Sequence, residues 1–193
     1  MEFLTPNPLI PEIKIVIPKK HGDARGFFSE TYTRRALAAG GIDMEFIQDN
    51  HAFSAIKGTV RGLHFQTPPF AQAKLIRVVR GAILDVAVDI RVGSPTYGKH
   101  VAVEVSAENW NQIFIPAGFA HGLATLTPDV EMIYKVSQYY SAAHDKGVLW
   151  NDPALGITWP VTSGEALLSD KDKIQPRLSE LPAYFQFDGV AAK

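Results

Sequence analysis

The residues of this chain whose types and spacing could do chemistry gather in Val60-Arg61-Gly62-Leu63-His64-Phe65-Gln66. Arg61 carries a permanent charge on a planar fork suited to an anion. His64, three residues on, belongs to the side-chain type that titrates near neutrality. Together they suit an anionic substrate and a proton that must be moved. The septet reads as an extended strand, and Gly62 inside it marks a bulge or a close approach of another group to the backbone. Taken alone, it also fits a half-exposed strand with two surface charges, so the surrounding elements decide its meaning.

Those elements are short and extended. Ile13 to Pro18 is rich in β-branched residues and reads as a first strand, Lys19 to Asp23 as a turn, and Arg25 to Tyr32 as a second strand presenting Arg25 and Glu30 among aromatics such as Phe27. Thr33 to Ala39 reads as one short helix, capped by Thr33 and ended by Gly40-Gly41. Glu45 to Ser54 is extended and carries Gln48-Asp49-Asn50. From residue 60 to about 138, strand follows strand, with Gly, Pro or Asn turns between them. Lys74 stands between Ala73 and Leu75-Ile76 in a strand that is otherwise apolar but for Arg77. From Ala82 to Ile90, Leu84, Val86, Val88 and Ile90 take one face and Asp85 and Asp89 the other. Val101, Val103 and Val105 repeat the alternation, and the segments 119–126 and 130–139 close the series. The pattern predicts an antiparallel all-β sandwich or barrel. After Asp152 the chain is rich in Pro and Gly, with a short helix expected near 165–172.

Composition narrows the function classes. The 193 residues suit a single domain, 1–193, and 46% hydrophobic with 20% charged residues describes a chain that fills a core and solvates its surface. A net charge of −1 argues against a nucleic-acid partner. The absence of cysteine removes disulfides, thiolate catalysis and zinc–thiolate sites. No apolar run reaches membrane-spanning length, and Met1 to Pro11 lacks the pattern of a signal peptide, so a cytoplasmic location without membrane association is expected.

Several segments together carry a resemblance. Arg25-Gly26-Phe27-Phe28 with Glu30, Gln48-Asp49-Asn50, Arg61-Gly62-Leu63-His64, Lys74, the run from Pro116 to Gly122 containing His121, Tyr134-Lys135, Trp150-Asn151-Asp152-Pro153 and Ser169-Asp170-Lys171-Asp172 occur in that order. The chain resembles the dTDP-4-dehydrorhamnose 3,5-epimerases from about residue 4 to residue 187. The resemblance implies a cupin-type double-stranded β-helix (jelly roll) with a few short helices, a homodimer, no metal or other cofactor, and dTDP-4-dehydro-6-deoxyglucose as substrate in dTDP-rhamnose biosynthesis. Moving a proton beside a ketone needs a base, an acid and a positive group for the enolate oxygen. By resemblance these are His64 oriented by Asp172, Tyr134, and Lys74. Arg25, Phe27, Glu30, Gln48, Asp49, Asn50, Arg61, His121, Tyr140, Asp145 and Lys171 are then the substrate-binding residues. Tyr140 is the ring that stacks on thymine, and the strand of Arg25 and Glu30 reaches across to the other subunit. The family usually has Glu after the Tyr139-Tyr140 pair, whereas this chain has the shorter Asp145.

Three alternatives stand beside this reading. A metal cupin brings two histidines separated by one residue, but here Gln66 occupies the second position after His64. A non-catalytic sugar-nucleotide module would lack the base or the acid, and His64, Asp172 and Tyr134 are all present. A relative acting at C3 alone or C5 alone would share the same set.

Overall fold

A computed structural model describes residues 1–189, so residues 190–193 of the expected domain lie outside the described residues. In chain order the strands and helices are β1 (Glu2–Leu4), β2 (Lys14–Ile17), β3 (His21–Asp23), β4 (Gly26–Phe28), α1 (Arg34–Ala39), β5 (Gln48–Ser54), β6 (Val60–Gln66), β7 (Lys74–Arg80), β8 (Ala82–Asp89), β9 (Arg91–Val92), β10 (His100–Ser106), β11 (Gln112–Ile115), β12 (Phe119–Thr125), β13 (Val130–Val136), β14 (Asp145–Gly147), α2 (Asp170–Lys173) and β15 (Phe185–Gln186). A six-stranded sheet runs β1-β2-β11-β7-β13-β5 and faces a five-stranded sheet running β10-β8-β12-β6-β14. Every pairing within these two sheets is antiparallel, the arrangement of a cupin-type jelly roll. Among the described residues no helix is long and apolar enough to cross a membrane.

Three apolar layers explain why the central strands β6, β8, β11 and β12 are buried on both faces. Between the sheets, Ile76, Val78, Ile83, Ala87, Ile113 and Leu123 fill the centre. Outside the five-stranded sheet, Leu63, Phe65, Val86, Val88 and Ile90 pack under the C-terminal segment through Leu155, Trp159 and Leu178. Outside the six-stranded sheet, Val16, Leu75 and Phe114 pack under α1 and its flanks through Leu37, Ile42 and Phe46. The alternation read on β8 is therefore correct in period, but its polar face is not a solvent face. Val86, Val88 and Ile90 lie beneath the C-terminal segment, and Asp85 and Asp89, both 0% exposed, point between the sheets.

The C-terminal segment is pinned by specific bonds. Leu167 bridges in parallel to Thr59, and its carbonyl accepts from the Val60 amide at 2.9 Å. Asp152, in the Trp150-to-Pro153 motif, accepts from the Ala154 and Leu178 amides. Trp159 packs edge-on to Trp150 at 5.6 Å and donates to its carbonyl. This strapping carries α2 over the open end of the barrel.

Several element boundaries differ from expectation. The segment read as a turn, His21 to Asp23, is a strand, and it pairs with Gly26–Phe28 as an exposed hairpin, while residues 29–32 carry no strand pairing. The extended chain from Glu45 becomes strand β5 only from Gln48, after the Ile47 amide has already donated to the Val136 carbonyl, and β1 forms among residues that gave no strand signal. Thr33 occupies the N-cap of α1 without a side-chain hydrogen bond. The late helix is one short turn at Asp170–Lys173, capped by the Ser169 hydroxyl, rather than near 165–172.

Candidate active site

In a regular strand, residues three apart point to opposite faces. Arg61 and His64 nevertheless line one cavity. Across the β6–β12 ladder His64 pairs with His121 and Arg61 with Leu123, so β6 carries one residue more than its partner. That is the count of a β-bulge. Gly62 makes it feasible, with φ +108° and a missing Cβ that would stand 2.6 Å from the His121 carbonyl oxygen and 2.7 Å from the Gly122 Cα. Gly122, on the other strand, is equally hemmed in by the Arg61 carbonyl. The glycine at the centre of the septet is the device that turns both functional side chains inward.

His64 meets Asp172 across the strapped C-terminal segment, with His64 Nε2 2.5 Å from Asp172 Oδ1. Asp172 is almost fully buried at 2% exposure. Burial pushes its carboxyl up. The hydrogen bond and charge of His64, the Ser169 side chain and the Gly62 backbone outweigh that and hold it below the ordinary carboxylate range. A carboxylate can only accept, so Nε2 carries the proton and His64 Nδ1 is left as the basic nitrogen.

The cavity in front of His64 measures about 400 Å³ and is lined on its apolar side by Ala52, Ile76, Leu123 and Met132. A more polar chamber of about 260 Å³ adjoins it, lined by Gln48, Asn50, Gln72, Tyr140, Asp145 and Lys171. His64, Lys74 and Tyr134 line both chambers and so stand at their junction. Lys74 reaches there from the start of β7. Burial lowers its pKa from 10.5 to about 8, against the attraction of Asp85 and Asp145. Burial raises the Tyr134 phenol, with Arg61 opposing, so the hydroxyl keeps its proton at neutral pH. The junction thus holds a base, a proton donor and a cation, the equipment for moving a proton next to a carbonyl.

The remaining sequence candidates divide by location. Gln48 donates to Asn50 at 2.8 Å on the inner face of β5, whereas Asp49, between them, points outward to an ion pair with Lys135. Asp145 is held by the Tyr140 hydroxyl and by Lys171. Arg61 is anchored on Ser54 Oγ and the Phe53 carbonyl. The structure does not bring Arg25, Phe27 or Glu30 to this pocket. Arg25 pairs with Asp23 and is 90% exposed, Phe27 packs against Trp110 at 4.9 Å, and Glu30 lines a separate cleft with Lys19 and His21.

Two residues escaped the sequence reading. Gln66, noted only as standing where a metal cupin has histidine, donates to the Phe70 and Tyr139 carbonyls and accepts from the Ser141 amide. It thereby sets the loop that carries Tyr140. Asp85 accepts from His121 Nε2 at 2.8 Å, while its other oxygen, Oδ1, is buried with no partner among the described residues. An unpaired buried acceptor costs about 1–3 kcal/mol. The alternating pattern placed Asp85 on the face opposite Val86, but nothing local says that this face looks into a cavity.

A jelly roll that brings a histidine–aspartate pair, a lysine and a tyrosine to the junction of an apolar and a polar chamber is equipped to move a proton beside a carbonyl. The sequence matches the profile described as dTDP-4-dehydrorhamnose 3,5-epimerase over residues 8–180. It is 54% identical over 178 residues to dTDP-4-dehydrorhamnose 3,5-epimerase of Sinorhizobium fredii (strain NBRC 101917 / NGR234), covering 92% of this chain and 91% of that one. The crystal structure of the Bacillus anthracis str. Ames enzyme with TDP and PPi bound superposes with a TM-score of 0.86 at 49% identity, covering 91% of this chain and 99% of that one. The structure of dTDP-6-deoxy-D-glucose-3,5-epimerase from Legionella pneumophila Philadelphia 1, in complex with dTDP-4-keto-L-rhamnose, gives 0.89 at 40% identity, covering 97% and 100%. The chain belongs to the dTDP-4-dehydrorhamnose 3,5-epimerase family.

Proposed function

We propose that this protein epimerises dTDP-4-dehydro-6-deoxy-D-glucose at C3 and C5 to dTDP-4-dehydro-L-rhamnose, a step of dTDP-L-rhamnose biosynthesis. The observation that carries the reading is the meeting of the His64–Asp172 pair, Lys74 and Tyr134 at one chamber junction. His64 Nδ1 takes the proton from a carbon beside the C4 ketone, and the electron pair moves onto the ketone oxygen as an enolate stabilised by Lys74. Tyr134 returns a proton to the opposite face. Exchange with solvent then restores the proton on Tyr134 and removes it from His64. One C–H bond breaks and one forms at each carbon, so the reaction is redox-neutral and calls for no electron carrier.

The apolar chamber suits a 6-deoxy sugar, and the polar one a nucleotide. Arg61 is assigned to the pyrophosphate, Gln48 and Asn50 to the base and deoxyribose, His121 to the sugar, and Lys171 with Asp145 to the nucleotide. Tyr140, 62% exposed, is free to stack on thymine, a contact worth about 1–3 kcal/mol. The outward Asp49 supports Lys135 instead of touching the ligand. Arg25, Phe27 and Glu30 belong in this reading to the site of a second copy. Phe27 and Phe28, 57% and 67% exposed on the β3–β4 hairpin, are the apolar surface a homodimer would cover. The whole chain acts as one domain, and a cytoplasmic location, checked by cell fractionation, follows from the nucleotide-sugar substrate.

The test is to incubate the protein with dTDP-4-keto-6-deoxyglucose in D₂O and weigh the product. Two deuterons with inversion at both carbons are expected. A single deuteron identifies an enzyme acting at one carbon, and none contradicts the reading. Exchange that stops with a chelator contradicts the lysine-stabilised mechanism.

A further inference from the structure

Two acids on the inner face of β8 are fully buried, and the contrast between them is informative. Asp89 is saturated, accepting from the Arg91 amide and guanidinium and from the Ser94 and Thr96 hydroxyls. It is a structural group. Asp85, four residues along the same face, has only His121 on Oδ2 and leaves Oδ1 bare among the described residues. An apolar side chain like those of its same-face neighbours Ile83 and Ala87 would fill that position without stranding an acceptor. A buried acid that the fold gains little from holding belongs to the chemistry.

Resting on the epimerase reading of this site, we propose that Asp85 is a positioning residue: it fixes His121 with the proton on Nε2, so that Nδ1 accepts from a sugar hydroxyl. His121 lies in the pocket directly across the ladder from His64, so two histidine–aspartate pairs stand side by side. Their roles differ. Burial holds the His121 imidazole below the ordinary range, and Lys74 and His64 press the same way, outweighing the support of Asp85. His121 therefore stays neutral and serves as an acceptor, not as a second base.

Two substitutions separate the effects. Asp85→Leu removes the acceptor. With ¹⁵N-histidine-labelled protein, the His121 nitrogens are expected to change from one protonated on Nε2 to an averaged pair. At the same time kcat/KM falls on the order of 10–100-fold, by analogy with partners that orient metal-bound histidines. Asp85→Asn keeps an amide oxygen for Nε2–H but removes the charge. It retains the wild-type tautomer and most of kcat/KM. This isosteric change also guards against a folding failure in the leucine variant. An unchanged His121 tautomer and kcat/KM in Asp85→Leu, or a loss in Asp85→Asn as large as in Asp85→Leu, overturns the proposal. If wild-type protein incorporates no solvent deuterium, the epimerase reading fails instead, and the nitrogen signals still decide what Asp85 does to His121.

Discussion

At the residue scale, the two groups proposed to flank the proton transfer have their states set by different physics. Asp172 keeps its charge because hydrogen bonds outweigh burial, and Tyr134 keeps its proton because burial dominates. Lys74 changes state close to the working range. Its pKa of about 8 means that it is charged below that pH and neutral above it. Activity that depends on the ammonium is therefore expected to fall as pH rises through about 8. Tyr134, shifted upward, does not titrate there. Between about 8 and the ordinary value of 10.5 the unfolded chain binds a proton that the folded protein has released, so this residue makes stability rise with pH while activity falls. Thermal melts run beside the rate profile distinguish the two. A limb that coincides with unfolding, or that persists unmoved in Lys74→Arg, contradicts the assignment.

At the element scale, what local pattern encodes was legible and what distant packing encodes was not. The strand-rich body followed from period-two alternation and Gly, Pro and Asn turns. His64 and Arg61 followed from their chemistry, and Gly62 flagged the bulge that turns both inward. Asp172 was reached through the resemblance alone, since no local signal says that a residue 108 positions away lies over His64. The orientation of β8 was hidden for a related reason. Its apolar face could as well have looked inward, and the C-terminal segment that covers it carries no regular period. Asp49 illustrates the converse: alternation along β5 alone separates it from Gln48 and Asn50, and grouping three consecutive residues overrode that rule.

At the scale of the whole molecule, the chain's own pocket holds His64, Lys74, Tyr134 and Asp172 but lacks Arg25, Phe27 and Glu30. In the proposed homodimer, each site is completed by the hairpin of the other copy. Arg25→Ala and His64→Ala homodimers are then both impaired. Mixing them by subunit exchange is expected to restore part of the activity, because one site of each hybrid collects both defects and the other collects neither. Hybrids isolated by tagged pull-down that stay as inactive as the parents would place Arg25 in its own chain's site or outside any site. That experiment tests assembly, whereas the central claim is the division of labour between His64 and Tyr134. The most direct measurement follows H3 and H5 of the substrate by NMR in D₂O with folded His64→Asn and Tyr134→Phe variants. The expected result is no exchange in His64→Asn, and in Tyr134→Phe exchange that continues while the sugar keeps largely its starting configuration. Near wild-type exchange in His64→Asn, or full inversion at the wild-type rate in Tyr134→Phe, would contradict the account.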